Sequence, residues 1–165
     1  FGLLGKKAVA VIDYKFDEKY LQTENQAYHN DRVMRKMISL FERYFGKINY
    51  LNQYNRQAFI ISADNTEEKD IVNTIRTIYN IFIKENKHVH VRIGIGEIAQ
   101  GLEGLKKSYD QSRIARKTIN KSGVMFYKEL GIYQLLFYID DTSKIDDYVK
   151  EILNPLLIYD KMIYF

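Results

Sequence analysis

His88-Val89-His90-Val91-Arg92-Ile93-Gly94-Ile95-Gly96-Glu97-Ile98-Ala99 joins an alternating run to a glycine-spaced turn, and its reading decides between two fold classes. Val89, Val91, Ile93 and Ile95 alternate with His88, His90, Arg92 and Gly94, the two-residue period of a strand with one apolar and one more polar face. Gly94, Gly96 and Ala99 also satisfy G-x-G-x-x-A, the spacing of a dinucleotide-binding turn. That spacing has meaning only where its strand opens a βαβ unit with an acidic residue at the end of the second strand. Here the next helix leads to Val124-Met125-Phe126-Tyr127, with no terminal acidic residue before Lys128-Glu129. The glycines are therefore read as packing devices: Gly94 permits close approach of a helix or backbone, and Gly101 and Gly104 flank the helix entry. No G-x-x-x-x-G-K-[ST] loop occurs either.

Upstream, Ala8-Val9-Ala10-Val11-Ile12-Asp13-Tyr14 is apolar on both faces and ends near a carboxylate, as expected of a central strand. Met34, Met37, Ile38, Phe41 and Phe45 recur at three and four residues, which predicts a helix that Gly46 can stop. Extended runs around Ile48–Leu51 and Phe59–Ala63, separated by Asn52-Gln53-Tyr54-Asn55-Arg56-Gln57, predict a hairpin with a polar tip. Thr66 is predicted to cap a second helix with Glu67, Glu68 and Asp70 in its first turn and Ile71, Ile75, Ile78 and Phe82 in the core.

Downstream, Leu102, Leu105, Tyr109, Ser112, Ala115 and Ile119 predict the buried face of a third helix, ended near Ser122-Gly123. Val124–Tyr127 reads as a last strand, and Ile132–Ile139 and Ile145–Leu153 as terminal helices, the second capped by Ser143 with Asp146 three later. A hairpin in the middle forces antiparallel pairing, so the expected class is α+β, one mixed sheet with helices packed on it. The expected division is 1–128 for this domain and 129–165 for a helical segment.

At 165 residues, 46% hydrophobic and 28% charged with one proline, the composition is that of a packed globular unit with at most a short appendage. Zero cysteines exclude disulfides and thiolate metal sites, and no apolar run approaches the roughly 18 residues of a membrane span, so a cytoplasmic protein without membrane contact is expected. A net charge of +4, from 25 basic and 21 acidic residues, is too mild to argue nucleic-acid binding. Phe1 is not an initiator Met, and Pro155–Tyr159 and Met162–Phe165 are apolar, so the chain is expected to continue or to meet a partner there.

The element order, Asp13 at the end of the first strand, the hairpin tip, and Val91–Gly96 followed by Tyr109-Asp110-Gln111-Ser112 resemble a GGDEF-type nucleotide-cyclase domain. More specific stretches are Gly94-Ile95-Gly96, Gly101-Leu102-Glu103-Gly104-Leu105, Ser108-Tyr109, Phe126-Tyr127, Leu130-Gly131-Ile132-Tyr133-Gln134-Leu135-Leu136 and Leu153-Asn154-Pro155-Leu156-Leu157-Ile158-Tyr159-Asp160. These resemble the GGDEF-like middle region of PucR/CdaR-type bacterial transcriptional regulators, the purine-catabolism and sugar-diacid regulators. The resemblance implies a ferredoxin-like mixed antiparallel sheet with packed helices, and a helix-turn-helix domain soon after Asp160. It also implies a homodimer that meets DNA only through a domain not in this chain, and a small-molecule effector sensed by this or another domain.

A cyclase of the GGDEF type holds metal with one carboxylate from the first strand and one from the hairpin tip, because the ion must neutralise charge during phosphoryl transfer. By resemblance Asp13 is the first. At the tip, the positions matching Gly-Gly-Asp-Glu-Phe read Tyr54-Asn55-Arg56-Gln57-Ala58, and Arg56 puts a positive charge where a cation should bind. The expectation is a non-catalytic regulatory domain without metal or cofactor; Glu97 and Asp110 offer no visible compensation. The alternative is a module that keeps the cyclase groove and holds a nucleotide or small anion with Asp13, Tyr54, Arg56 and Arg92. An active cyclase is the third reading.

Other candidates are thinner. His88-x-His90 places two imidazoles on one strand face without a third ligand at a meaningful spacing, and His29 stands alone in the sequence. No serine has a G-x-S-x-G context. Lys106, Arg113, Lys117 and Lys121 form a basic stripe on the third helix, which reads as a solvated face.

Overall fold

Eleven residues, Lys6–Phe16, form β1, the middle strand of the sheet. The computed structural model describes residues 5–21 and 26–137. After β1 come α1 (Glu18–Leu21), α2 (Gln26–Phe45), β2 (Asn49–Gln53), β3 (Arg56–Ser62), α3 (Glu68–Glu85), β4 (Val89–Ile95), β5 (Ala99–Gln100), α4 (Gly101–Thr118) and β6 (Gly123–Phe126). The sheet order is β2-β3-β1-β4-β6, with β5 continuing beside β1 at Lys6 and Lys7. All pairings are antiparallel except β4 with β6, which are parallel and joined through α4. The chain divides after Leu130 into two units, and of the second only residues 131–137 are described, including the short helix α5 (Tyr133–Leu136).

Alternation along β1 gives the sheet two unlike faces. Ala8, Ala10, Ile12, Tyr14 and Phe16 join Phe59, Ile61, Val91 and Ile93 against α2 and α3. Those helices bury Met37 and Phe41 from α2 and Ile71, Ile75, Ile78 and Phe82 from α3, the three- and four-residue spacing foreseen from the sequence. Phe41 stacks on Phe59 with ring centroids 4.1 Å apart. Gly46, at φ 73°, follows the last residue of α2, where a left-handed backbone costs glycine little.

The second face carries Val9, Val11 and Asp13, covered by α4. Here the helix sits very low. A Cβ built on Gly94 would lie 2.0 Å from the Ser112 carbonyl oxygen and 2.4 Å from the Arg116 nitrogen, and one on Gly96 would lie 2.0 Å from the Ser108 carbonyl oxygen. Ser108 Oγ accepts from the Val9 amide at 3.0 Å, so a helix side chain completes the backbone hydrogen bonding of the sheet.

Several local expectations are corrected. The hairpin tip is a two-residue turn, Tyr54-Asn55, and Gln53, Arg56 and Gln57 are already strand residues. Tyr54 takes φ 52°, and the Asn55 side chain and backbone both tie the turn to Tyr14. Glu67, not Thr66, stands at the N-cap of α3, and no side-chain cap bond forms there. On α4 the buried residues are Ser108, Gln111, Ser112, Ala115 and Arg116, whereas Leu102 is exposed. The glycines explain the shift: a helix lying on bare backbone meets it with serines and keeps bulky Leu102 off the contact. The predicted strand at Val124–Tyr127 is Gly123–Phe126, and Tyr127–Leu130 is a 3₁₀ turn. The predicted helix Ile145–Leu153, its Ser143 cap and the apolar stretches from Pro155 onward lie outside the described residues. No helix among the described residues is long and apolar enough to cross a membrane.

Candidate functional site

The register of three strands sets the candidate site. Asp13 of β1 lies directly across from Arg56 on β3 and from Arg92 on β4, so the three side chains share the α4 face of the sheet. Arg92 closes a two-pronged contact, Nε donating to Asp13 Oδ1 at 3.0 Å and Nη2 to Oδ2 at 2.8 Å. Arg116, descending from α4, donates through Nη1 to Asp13 Oδ2. Its reach depends on Gly94: with no Cβ there, the backbone of Arg116 rests on β4 and the guanidinium extends to β1.

One carboxylate thus binds two guanidinium groups and has a third, that of Arg56, across from it on β3. Asp13 is 7% exposed and Arg116 5% exposed. Burial lowers the pKa of Arg116; the neighbouring charges of Arg56 and Arg92 lower it further, and Asp13 opposes them. Among the described residues no carboxylate lies within ion-pair reach of Arg56, and Nε of Arg56 and Nε of Arg116 are buried without a hydrogen-bond partner.

A divalent cation would find a poor donor set. Mg²⁺ and Ca²⁺ take oxygen ligands. Both oxygens of Asp13 already accept from arginines, and the hairpin residue across from it is Arg56, a donor without oxygen ligands. Gln57, beside it, points to the opposite face, where it accepts from the Tyr14 hydroxyl and donates to the Met34 carbonyl at 3.2 Å. Burial holds the Tyr14 hydroxyl well above the usual phenol pKa, with the Asp13 charge adding to the effect. Glu97 and Asp110 do not supply the missing oxygen: Glu97 is engaged by Gln111 and lies 3.6 Å from Lys128, and Asp110 faces Arg113 at 3.8 Å. Among the described residues no group of three His, Cys, Asp or Glu side chains is arranged to hold a metal ion.

Of the four residues singled out from sequence, the structure therefore brings Asp13, Arg56 and Arg92 together. Tyr54 stays out, 77% exposed at the turn and without a hydrogen bond to the other three. Arg116 was missed, although a signal existed: it lies four residues after Ser112 and eight after Ser108, on the stripe that meets the glycines. The remaining candidates have structural partners. His90 Nε2 lies 2.8 Å from Asp17 Oδ1 and His88 Nδ1 4.0 Å from Asp17 Oδ2, while His29 is buried against the rings of Phe16 and Tyr28. Lys106, Lys117 and Lys121 are exposed, and Arg113 lies over the Tyr109 ring.

Residues 4–118 match the model of the GGDEF-like domain family. No curated protein matches the sequence. Among solved structures, the active GGEEF domain of a diguanylate cyclase from Vibrio cholerae is similar at 16% identity and TM-score 0.55, over 74% of this chain and 83% of that one. The GGDEF domain of DgcB from Caulobacter crescentus, in complex with c-di-GMP, is similar at 13% identity and TM-score 0.57, over 74% and 78%. The adenylyl cyclase CyaB from P. aeruginosa is similar at 12% identity and TM-score 0.50, over 73% and 76%. At these identities the likeness establishes the fold: a nucleotide-cyclase/GGDEF-like mixed sheet with packed helices.

Proposed function

This chain belongs to the GGDEF-like domain family, and within it we propose a non-catalytic regulatory and dimerisation domain of a PucR/CdaR-type transcriptional regulator. In this reading a cytoplasmic homodimer relays a signal to a DNA-binding domain outside the chain. One observation supports it above the rest: the carboxylate that would anchor a catalytic metal is held by Arg92 and Arg116, with Arg56 at the second acidic position. A guanidinium is a fixed cation that supplies donors only, so it neutralises Asp13 without offering the open coordination positions that a metal brings to a triphosphate. The resemblance of Leu130–Leu136 and Leu153–Asp160 to PucR/CdaR regulators supports the finer assignment.

The decisive experiment incubates the protein with GTP or ATP and Mg²⁺ or Mn²⁺ and follows pyrophosphate release and cyclic products. No product above the no-protein control is expected, together with a dimer in sedimentation equilibrium. Turnover that is lost in Asp13→Asn would overturn the reading.

A further inference from the structure

Charge at the Asp13 cluster does not balance. Arg92 and Arg116 bind the single carboxylate of Asp13 and Arg56 stands across from it in the strand register, so three guanidinium charges on one face of the sheet share one negative charge and two stay uncompensated. Lys15, two residues along β1 on that same face, is exposed and adds a further positive charge at the rim. Uncompensated charge next to a packed helix is costly, and buried guanidine N–H groups without acceptors add to that cost. Nε of Arg56 and Nε of Arg116 are two such groups.

We propose that Arg56, Arg92 and Arg116 form a metal-independent binding site for a phosphate group, either free or as the terminal phosphate of a larger ligand. The ligand class follows from charge and geometry. A dianion cancels the excess of two, and guanidinium groups arriving from β3, β4 and α4 present donors from more than one plane, which suits a tetrahedral oxyanion better than a flat carboxylate. The Arg92 side chain is 35% exposed and meets the solvent, whereas Arg116 forms the buried floor. Asp13 keeps the arginines in place when the phosphate is absent and competes with it when present. The site takes the position where the resemblance puts a cyclase metal, but reverses its sign: fixed cations receive the anion directly. This proposal rests on the arginine occupancy that also supports the regulatory reading, and needs neither a homodimer nor a DNA-binding partner.

The test uses the whole 165-residue chain in EDTA-containing buffer at constant ionic strength. Amide chemical shifts and the thermal midpoint are followed against inorganic phosphate, pyrophosphate and GTP, with chloride as the control. Saturable shifts at Arg56, Arg92 and Arg116, and a midpoint that rises with phosphate but not with chloride, are expected. Tighter binding of GTP than of pyrophosphate assigns the phosphate to a nucleotide, and equal or weaker binding assigns it to the free ion or another ester. Arg56→Gln, which breaks no side-chain hydrogen bond among the described residues, should weaken binding about tenfold, the loss of one charge-assisted contact. Asp13→Asn removes the competing carboxylate and should tighten it. A purely structural cluster would show neither change. Binding that requires Mg²⁺, no saturable response to any of the three, or affinity unmoved by Arg56→Gln would overturn the proposal. Cyclase turnover would sink the regulatory reading alone, so the two failures are separable.

Discussion

The two faces of the sheet are built on opposite principles. Toward α2 and α3 the contact is a thick apolar layer, with Phe41, Phe59, Phe82 and the isoleucines of α3 filling the space between backbones. Toward α4 it is thin: Gly94 and Gly96 supply no side chain, Ser108 and Ser112 little, and the bulky group at that interface is a charged arginine bound to Asp13. A layer of branched and aromatic side chains absorbs small changes by repacking, whereas a helix lying on bare backbone has nothing that can yield. The α2/α3 face thus supplies hydrophobic stability and tolerates variation; the α4 face supplies little hydrophobic area and enforces one geometry, the one that brings Arg116 to Asp13.

Substitutions on the two faces can break this contrast, and denaturant unfolding measures each. Asp13→Ala should be the most damaging, at about 3–5 kcal/mol, because it leaves buried Arg116 and its neighbours without a counter-ion. A loss below about 1 kcal/mol would mean the arginines relax into solvent and the thin face is not charge-locked. Gly94→Ala adds a single carbon, yet it meets backbone atoms of α4, and roughly 3 kcal/mol should be lost. If Gly94→Ala were neutral, α4 would have room to lift, and the rigidity assigned to this face would be wrong. Met37→Leu, fully buried on the other face, changes shape at nearly constant volume and should cost less than about 1.5 kcal/mol. Leu51, 69% exposed on β2 and away from both helical layers, should accept lysine within about 0.5 kcal/mol. The contrast is sharpest between the middle two: one added carbon on the thin face should outweigh a core reshaping on the thick one.

The sequence alone determined much of this. The alternation from Val89 to Ile95 and the helical spacing in α2 and α3 specify their elements because burial of one face imposes a period on the residues that face it. The hairpin interrupting the strand–helix series excluded a doubly wound sheet, and the arginine at the tip was legible by its place in the resembling motif. Arg116 was not legible. It belongs to the site through a register across β3, β1 and β4 and through the height of α4 above Gly94, both of which relate residues up to 103 positions apart. The apolar pattern of α4 was likewise misleading, since Leu102 reads as core and is exposed, while Ser108 and Arg116 fall outside the predicted face and are buried. Local sequence records which residues prefer burial; only tertiary structure records what they are buried against. Where the opposing surface is glycine backbone and a carboxylate, serine and arginine fit the interface and leucine does not.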